Sequence, residues 1–173
     1  MLKDNLKEWF GFDEFKEGQE EIIDSVLHGR HTLGILPTGS GKSLCYQLPT
    51  YILEKPTLVI SPLISLMDDQ VMQMKLNGES HVSYIHSGMD EIEKRNHINQ
   101  ISQSRFIYLS PEFLLQPQNF KLISHLDFGL IVLDEAHCLS EWGYDFRPHY
   151  ALIGQITSHF KNARILALTA TAP

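Results

Sequence analysis

The sequence predicts an α/β protein, a three-layer sandwich with a mostly parallel central sheet. Short, continuous apolar runs recur along the chain. Amphipathic segments of helical spacing lie between them, and the first run leads into a glycine-rich turn that opens a helix. Continuous runs, rather than alternating ones, are what a strand covered on both faces requires. Strands joined by helices imply crossover units with helices on both sides of the sheet.

Strands are expected at residues 32–36, 57–60, 81–85, 106–109, 130–133 and 165–168. A helix over 18–27 carries Ile22, Ile23, Val26 and Leu27 on one stripe. A helix opening at Ser43 is expected to end at Pro49, because proline has no N–H to continue it. Leu66, Val71, Met72 and Met74 mark a helix over 65–75, and Ile92, Ile98 and Ile101 a polar one over 90–103.

Composition bounds the rest. A chain of 173 residues, 43% hydrophobic and 20% charged, predicts one folded domain over 1–173, with no repeat and no linker. Fourteen basic against twenty-one acidic residues give a net charge of −7. That excludes a protein coating nucleic acid by bulk charge, but not a local contact. Lys94-Arg95 is the one adjacent basic pair and reads as a solvated face. Cys45 and Cys138 form no C-x-x-C, which argues against a cysteine zinc site and for a reducing compartment, the cytoplasm. The charged start has no apolar core and does not read as a signal peptide. No apolar run approaches membrane-spanning length, so no membrane association is expected.

The chemistry begins at Leu36-Pro37-Thr38-Gly39-Ser40-Gly41-Lys42-Ser43, between a predicted strand and a predicted helix. Glycines let the backbone curl so that its N–H groups converge on a phosphate chain, and the helix start adds positive potential there. Thr38, Gly39, Ser40 and Gly41 are therefore candidate phosphate-loop residues. Lys42 is placed to reach the β and γ phosphates of ATP, and the Ser43 hydroxyl to hold Mg²⁺. Leu36 stands where the general pattern has glycine.

A second segment, 128–135, is an apolar strand ending in Asp134-Glu135. An aspartate at the carboxyl end of a strand beside the phosphate loop is a candidate Mg²⁺ ligand. Glu135 is placed to orient and deprotonate a water for attack on the γ-phosphate.

With Ala136 and His137 the acids spell D-E-A-H, the form carried by superfamily 2 helicases. Further segments narrow the resemblance: Phe10-Gly11-Phe12-Asp13-Glu14-Phe15-Lys16-Glu17-Gly18-Gln19 before the phosphate loop, the aromatic stretch from Cys138 to Pro148, and Thr169-Ala170-Thr171 after the last strand. From about Phe10 to Ala172 the chain resembles the first RecA-like domain of RecQ-family DNA helicases. The aromatic stretch is the most specific piece, since D-E-A-D-box RNA helicases lack it.

That resemblance implies roles. Gln19 would hydrogen-bond the adenine edge, with Phe12 on one face of the ring and Lys16, where arginine is usual, on the other; Phe15 is expected to pack in the core. Trp142, Phe146 and Arg147 would link DNA contact to ATP hydrolysis, since aromatic faces stack on unpaired bases without reading sequence. Core packing of Trp142 and Phe146 is the alternative. Glu141 and Tyr144 stand where glutamine and histidine are usual. Residues 61–66 would touch the nucleic-acid backbone, and 110–112 repeat that design, with Phe113 where an arginine is usual. His137, Thr169 and Thr171 would relay the nucleotide state to DNA. The resemblance also implies a monomeric piece of a longer protein, whose second RecA-like domain supplies an arginine finger and helps to bind single-stranded and partly duplex DNA. A bacterial owner would place it at the nucleoid. A stand-alone nucleotide-binding switch and an RNA helicase core are the alternatives; the switch has no need of Glu135.

Overall fold

The computed structural model describes residues 1–37, 41–136 and 147–170, at 147–150 the backbone alone. Six strands form one sheet: β1 (Thr32–Leu36), β2 (Thr57–Ile60), β3 (Val82–Ile85), β4 (Phe106–Leu109), β5 (Leu130–Leu133) and β6 (Arg164–Ala170). Their order is β1-β6-β5-β2-β4-β3, and every pairing is parallel. The sheet is thus parallel throughout the described residues, and each predicted strand is found.

Helices cover both faces. On one side lie α2 (Gln19–Leu27), α3 (Leu44–Leu53) and α4 (Ile64–Leu76). Their Ile22, Val26, Cys45, Met67, Val71 and Met74 meet Leu36, Val59, Phe106, Tyr108, Leu130, Val132, Leu166 and Leu168 of the strands. On the other side lie α5 (Glu91–Gln100), the short α6 (Pro111–Leu114) and α7 (Pro117–Phe120), and α8 (Arg147–His159). Leu114, Phe120, Leu152 and Ile156 there meet Leu58, Ile60, Ile107, Leu109 and Ile131. Neighbouring residues of β2, β4 and β5 point into opposite cores, which is why those runs are apolar without alternation. Outside α2 and α3, α1 (Leu2–Phe10) adds a small cluster through Leu6 against Ile23, Leu44 and Leu48. None of the described helices is long and apolar enough to cross a membrane.

Three expectations change, the first at α5, which ends at Gln100 and leaves Ile92 of its expected apolar stripe exposed. Pro49 does not end α3; the helix continues to Leu53. Proline costs one intrahelical donor, and the Thr50 hydroxyl donates to the Tyr46 carbonyl at 2.6 Å in that same turn. On α4 the buried stripe is Met67, Val71 and Met74, whereas Leu66 and Met72 are exposed.

Candidate nucleotide site

The carboxyl ends of the strands gather the chemistry. β1 leads to the phosphate loop and β5 to Asp134-Glu135, but the two strands are not neighbours: β6 runs between them. Its residues extend past the end of β5, with Leu133 opposite Ala167 and Leu36 opposite Ala170. Thr169 therefore sits between the loop and the acids, and the Leu168 carbonyl accepts from Ala136 N–H at 2.9 Å.

Lys42 bridges this gap. Its Nζ donates to Glu135 Oε1 at 2.7 Å and lies 3.8 Å from Asp134 Oδ1. The Asp134 side chain is only 2% exposed. Burial pushes its carboxyl above the ordinary range; Lys42 opposes the shift and the Glu135 charge adds to it. Asp134 Oδ1 accepts Glu135 N–H at 2.9 Å, and Gln70 Nε2 approaches Oδ2 at 3.4 Å. Glu135 adopts a left-handed backbone, φ 54°, uncommon for a residue with a Cβ. Such strain persists where the surroundings fix it, and here it accompanies the Lys42 contact.

The loop residue Gly41 has φ 73°, and a Cβ there would lie 2.7 Å from Gln19 Nε2. Glycine is needed for both the turn and that close approach. Gln19, 3% exposed, joins two segments: its Oε1 accepts Lys16 N–H at 2.8 Å and its Nε2 donates to the Gly41 carbonyl at 3.0 Å. Leu36 is buried in the core, where its Cδ2 lies 2.6 Å from a Cβ built at Gly18 (φ 85°). The leucine at this position thus serves packing, and the residue capping α2, Gly18, must have no side chain.

Gln19, Gly41 and Ser43 line a cleft of about 860 Å³ together with Trp9, Phe12 and Lys16. Phe12 is 58% exposed and Lys16 is exposed on the rim. Phe15 packs against the α1–α2–α3 cluster as expected. The Ser43 side chain makes no capping hydrogen bond to α3.

Other predicted residues divide. Thr38, Gly39, Ser40, His137, Trp142, Phe146 and Thr171 lie outside the described residues, as do Cys138, Glu141 and Tyr144. Arg147 opens α8, and the structure describes its backbone only. Ser61 is buried, so its hydroxyl is not offered at the surface, while Ser65 is exposed. Ser110 is buried too, accepting Phe113 N–H as the cap of α6. Lys94 and Arg95 line a second cleft of about 680 Å³ with His86, Ser110 and Asn119, at the carboxyl ends of β3 and β4. Their sequence reading as a plain solvated face missed that juxtaposition, because it depends on how β3 and β4 pair. Sequence reasoning also missed Gln70, a polar residue outside any motif.

Among the described residues no group of three or more His, Cys, Asp or Glu side chains forms a metal cage. Asp134 and Ser43 instead offer isolated hard oxygen donors beside a phosphate loop. Magnesium commonly binds in that way, completing its shell with phosphate and water.

A parallel sheet with a strand–loop–lysine–helix unit and a paired acid at its carboxyl edge defines a P-loop nucleotide-binding class. The profile of the DEAD/DEAH box helicases matches residues 16–173, and the chain belongs to that family. It is 47% identical over 171 residues to a protein named probable ATP-dependent DNA helicase RecS, from Bacillus subtilis (strain 168), covering 99% of this chain and 34% of that one. It is also 47% identical over 171 residues to the ATP-dependent DNA helicase RecQ of Pasteurella multocida, covering 98% of this chain and 27% of that one. The chain therefore spans about a third or less of the length of these relatives. The crystal structure of a hypothetical ATP-dependent RNA helicase from Sulfolobus tokodaii superposes with a TM-score of 0.75 at 24% identity, covering 99% of this chain and 50% of that one. At that identity the likeness concerns the RecA-like fold.

Proposed function

We propose that this chain is the ATP-binding half of a RecQ-type DNA helicase motor, forming one domain over residues 1–173. One observation carries the reading: Lys42, Asp134 and Glu135, 92 and 93 positions apart in sequence, converge at one edge of the sheet. The names of the relatives, ATP-dependent DNA helicases, support the choice of polynucleotide.

The nucleotide base enters the cleft beside Gln19, between Phe12 and Lys16, and the phosphates follow the loop from Thr38 to Ser43. Lys42 exchanges its bond to Glu135 for one to the β and γ phosphates. Glu135, freed of the ammonium, orients a water and takes its proton. Asp134 and the Ser43 hydroxyl are the donors that would hold Mg²⁺, which neutralises charge on the transferring phosphoryl group. Thr169, on the strand between loop and acids, carries changes at the γ-phosphate toward the polynucleotide side with His137 and Thr171. There Trp142, Phe146 and Arg147 stack on and pair with single-stranded and partly duplex DNA, and unwinding serves DNA repair and recombination. Residues 1–173 by themselves are a monomer. The partner for the open side of the nucleotide is a second RecA-like domain of the same protein, in the cytoplasm. Its arginine is worth roughly 10³–10⁵ in rate in P-loop enzymes.

Steady-state ATP hydrolysis with single-stranded DNA, with RNA and with neither tests this. Residues 1–173 alone should turn over slowly, and the longer protein should be stimulated by DNA. Robust DNA-stimulated turnover by residues 1–173 would contradict the half-site, and stimulation by RNA instead of DNA would contradict the substrate.

A further inference from the structure

We infer that Gln70 is the positioning residue of Asp134, aimed by a buried pair of tyrosines, Tyr46 and Tyr108, on the far side of its amide. The inference rests on the nucleotide-site reading and goes one layer behind it. Gln70 projects from α4 and is half-buried. Its Nε2 approaches Asp134 Oδ2 at 3.4 Å, and its Oε1 accepts from Tyr46 Oη at 3.2 Å. Tyr46 Oη lies 2.6 Å from Tyr108 Oη, and both rings are buried.

The chain of hydrogen bonds has one consistent direction. Burial holds both phenols protonated. Tyr46 gives its proton to Gln70 Oε1, so it must accept from Tyr108. The other acceptor near Tyr108 is Met74 Sδ at 3.3 Å, a weaker one. With its oxygen held by Tyr46, the amide of Gln70 can turn only its NH₂ toward the acid. Without Tyr46 Oη the amide is free to flip and set oxygen against carboxylate.

The chemistry suits a metal ligand. A carboxylate offers about four lone-pair sites. Glu135 N–H takes one on Oδ1 and Gln70 one on Oδ2, which leaves each oxygen a site for a cation or its water. Gln70 is neutral, so it fixes the carboxylate without competing for the cation as a lysine or arginine would. Partners of this kind behind a metal ligand commonly change metal affinity by about 10–100-fold.

The test is a magnesium titration of a fluorescent ATP analogue bound to this chain. Two quantities are read: the Mg²⁺ concentration at half-effect, and the affinity for the analogue without metal. Gln70→Met should raise the midpoint about 10-fold or more, Tyr46→Phe by less, and Tyr108→Phe least. Metal-free affinity should stay within about twofold in all three, since their side-chain hydrogen bonds run to Asp134 and to one another; melting curves register any loss of packing at the tyrosines separately. A Gln70→Met midpoint within twofold of the parent, or a Tyr108→Phe shift as large as that of Gln70→Met, would overturn the inference while leaving the nucleotide site in place. A parent chain with no magnesium-dependent binding at all would overturn the site and the inference together.

Discussion

At one end of the candidate site, Lys42, Asp134 and Glu135 touch one another inside the fold; at the other, Phe12 and Lys16 stand on the rim of an open cleft. Gln19 and Gly41 join the two ends, with the glutamine amide bonded to the loop carbonyl. To act as proposed, the acid end needs Lys42 to leave Glu135 for the phosphates. The groups of the acid end follow two strands of one sheet, Lys42 after β1 and the two acids directly after β5. At the base end Gln19 is buried, while Phe12 and Lys16 are exposed. The proposed chemistry thus rests on buried groups, and the proposed base contact on exposed ones. Substitutions at the two ends should differ accordingly, large in rate at one and modest in affinity at the other.

The largest effect is expected at Glu135. Glu135→Gln in the longer protein should keep nucleotide affinity within a few-fold and lower hydrolysis by about 10²–10⁴, because an amide can hold water but cannot take its proton. Single-turnover hydrolysis alongside equilibrium binding reads both. A matched loss of affinity would mean that Glu135 holds the site together rather than acting on water.

At the base end Phe12→Ala should weaken ATP binding by about 0.5–1.5 kcal/mol, the usual worth of an aromatic contact beyond its buried area. Binding of inorganic triphosphate, which has no base to stack, should not change. A loss for both ligands would break the division between the two ends, since Phe12 would then be shaping the phosphate loop.

The smallest effect sharpens the contrast within one helix turn. Ser43 and Leu44 line the cleft, while Cys45 next to them is buried in the core. A helix start ordinarily lowers a thiol pKa; here burial pushes Cys45 up to about 12. Native protein at pH 8 should leave Cys45 unmodified by iodoacetamide, with labelling only after denaturation, as read by peptide mass spectrometry. Between its ordinary pKa of 9.0 and about 12, the folded state keeps a proton that the unfolded state loses. Stability should therefore fall as pH rises through that window.

Much of this was legible in the sequence. All six strands could be read because strands buried on both faces must be apolar at every position. The loop and acid pair could be read because phosphate and metal chemistry demands those residue types beside strand ends. Tertiary placement was not legible. The strand order was not written in any one segment: β6 lies between the strands that carry the loop and the acids, and nothing local in Leu130–Leu133 encodes its neighbours. Leu2, Leu6 and Phe10 recur at helical spacing on α1, but the segment is short and charged, and its place depends on packing against Ile23, Leu44 and Leu48. On α8 only Leu152 and Ile156 mark the buried face, with Phe160 joining the same core just past the helix end. Gln70 has no sequence signal, since its role exists only once the fold brings α4 beside Asp134.

The most direct test is calorimetric titration of this chain with ATP and Mg²⁺, parent against Lys42→Ala. If Lys42 is the phosphate ligand drawn from the acid pair, the parent binds saturably. The variant should bind at least tenfold more weakly, with its folded melting transition retained. Equal affinity in both proteins would contradict a nucleotide site at the Lys42–Asp134–Glu135 cluster.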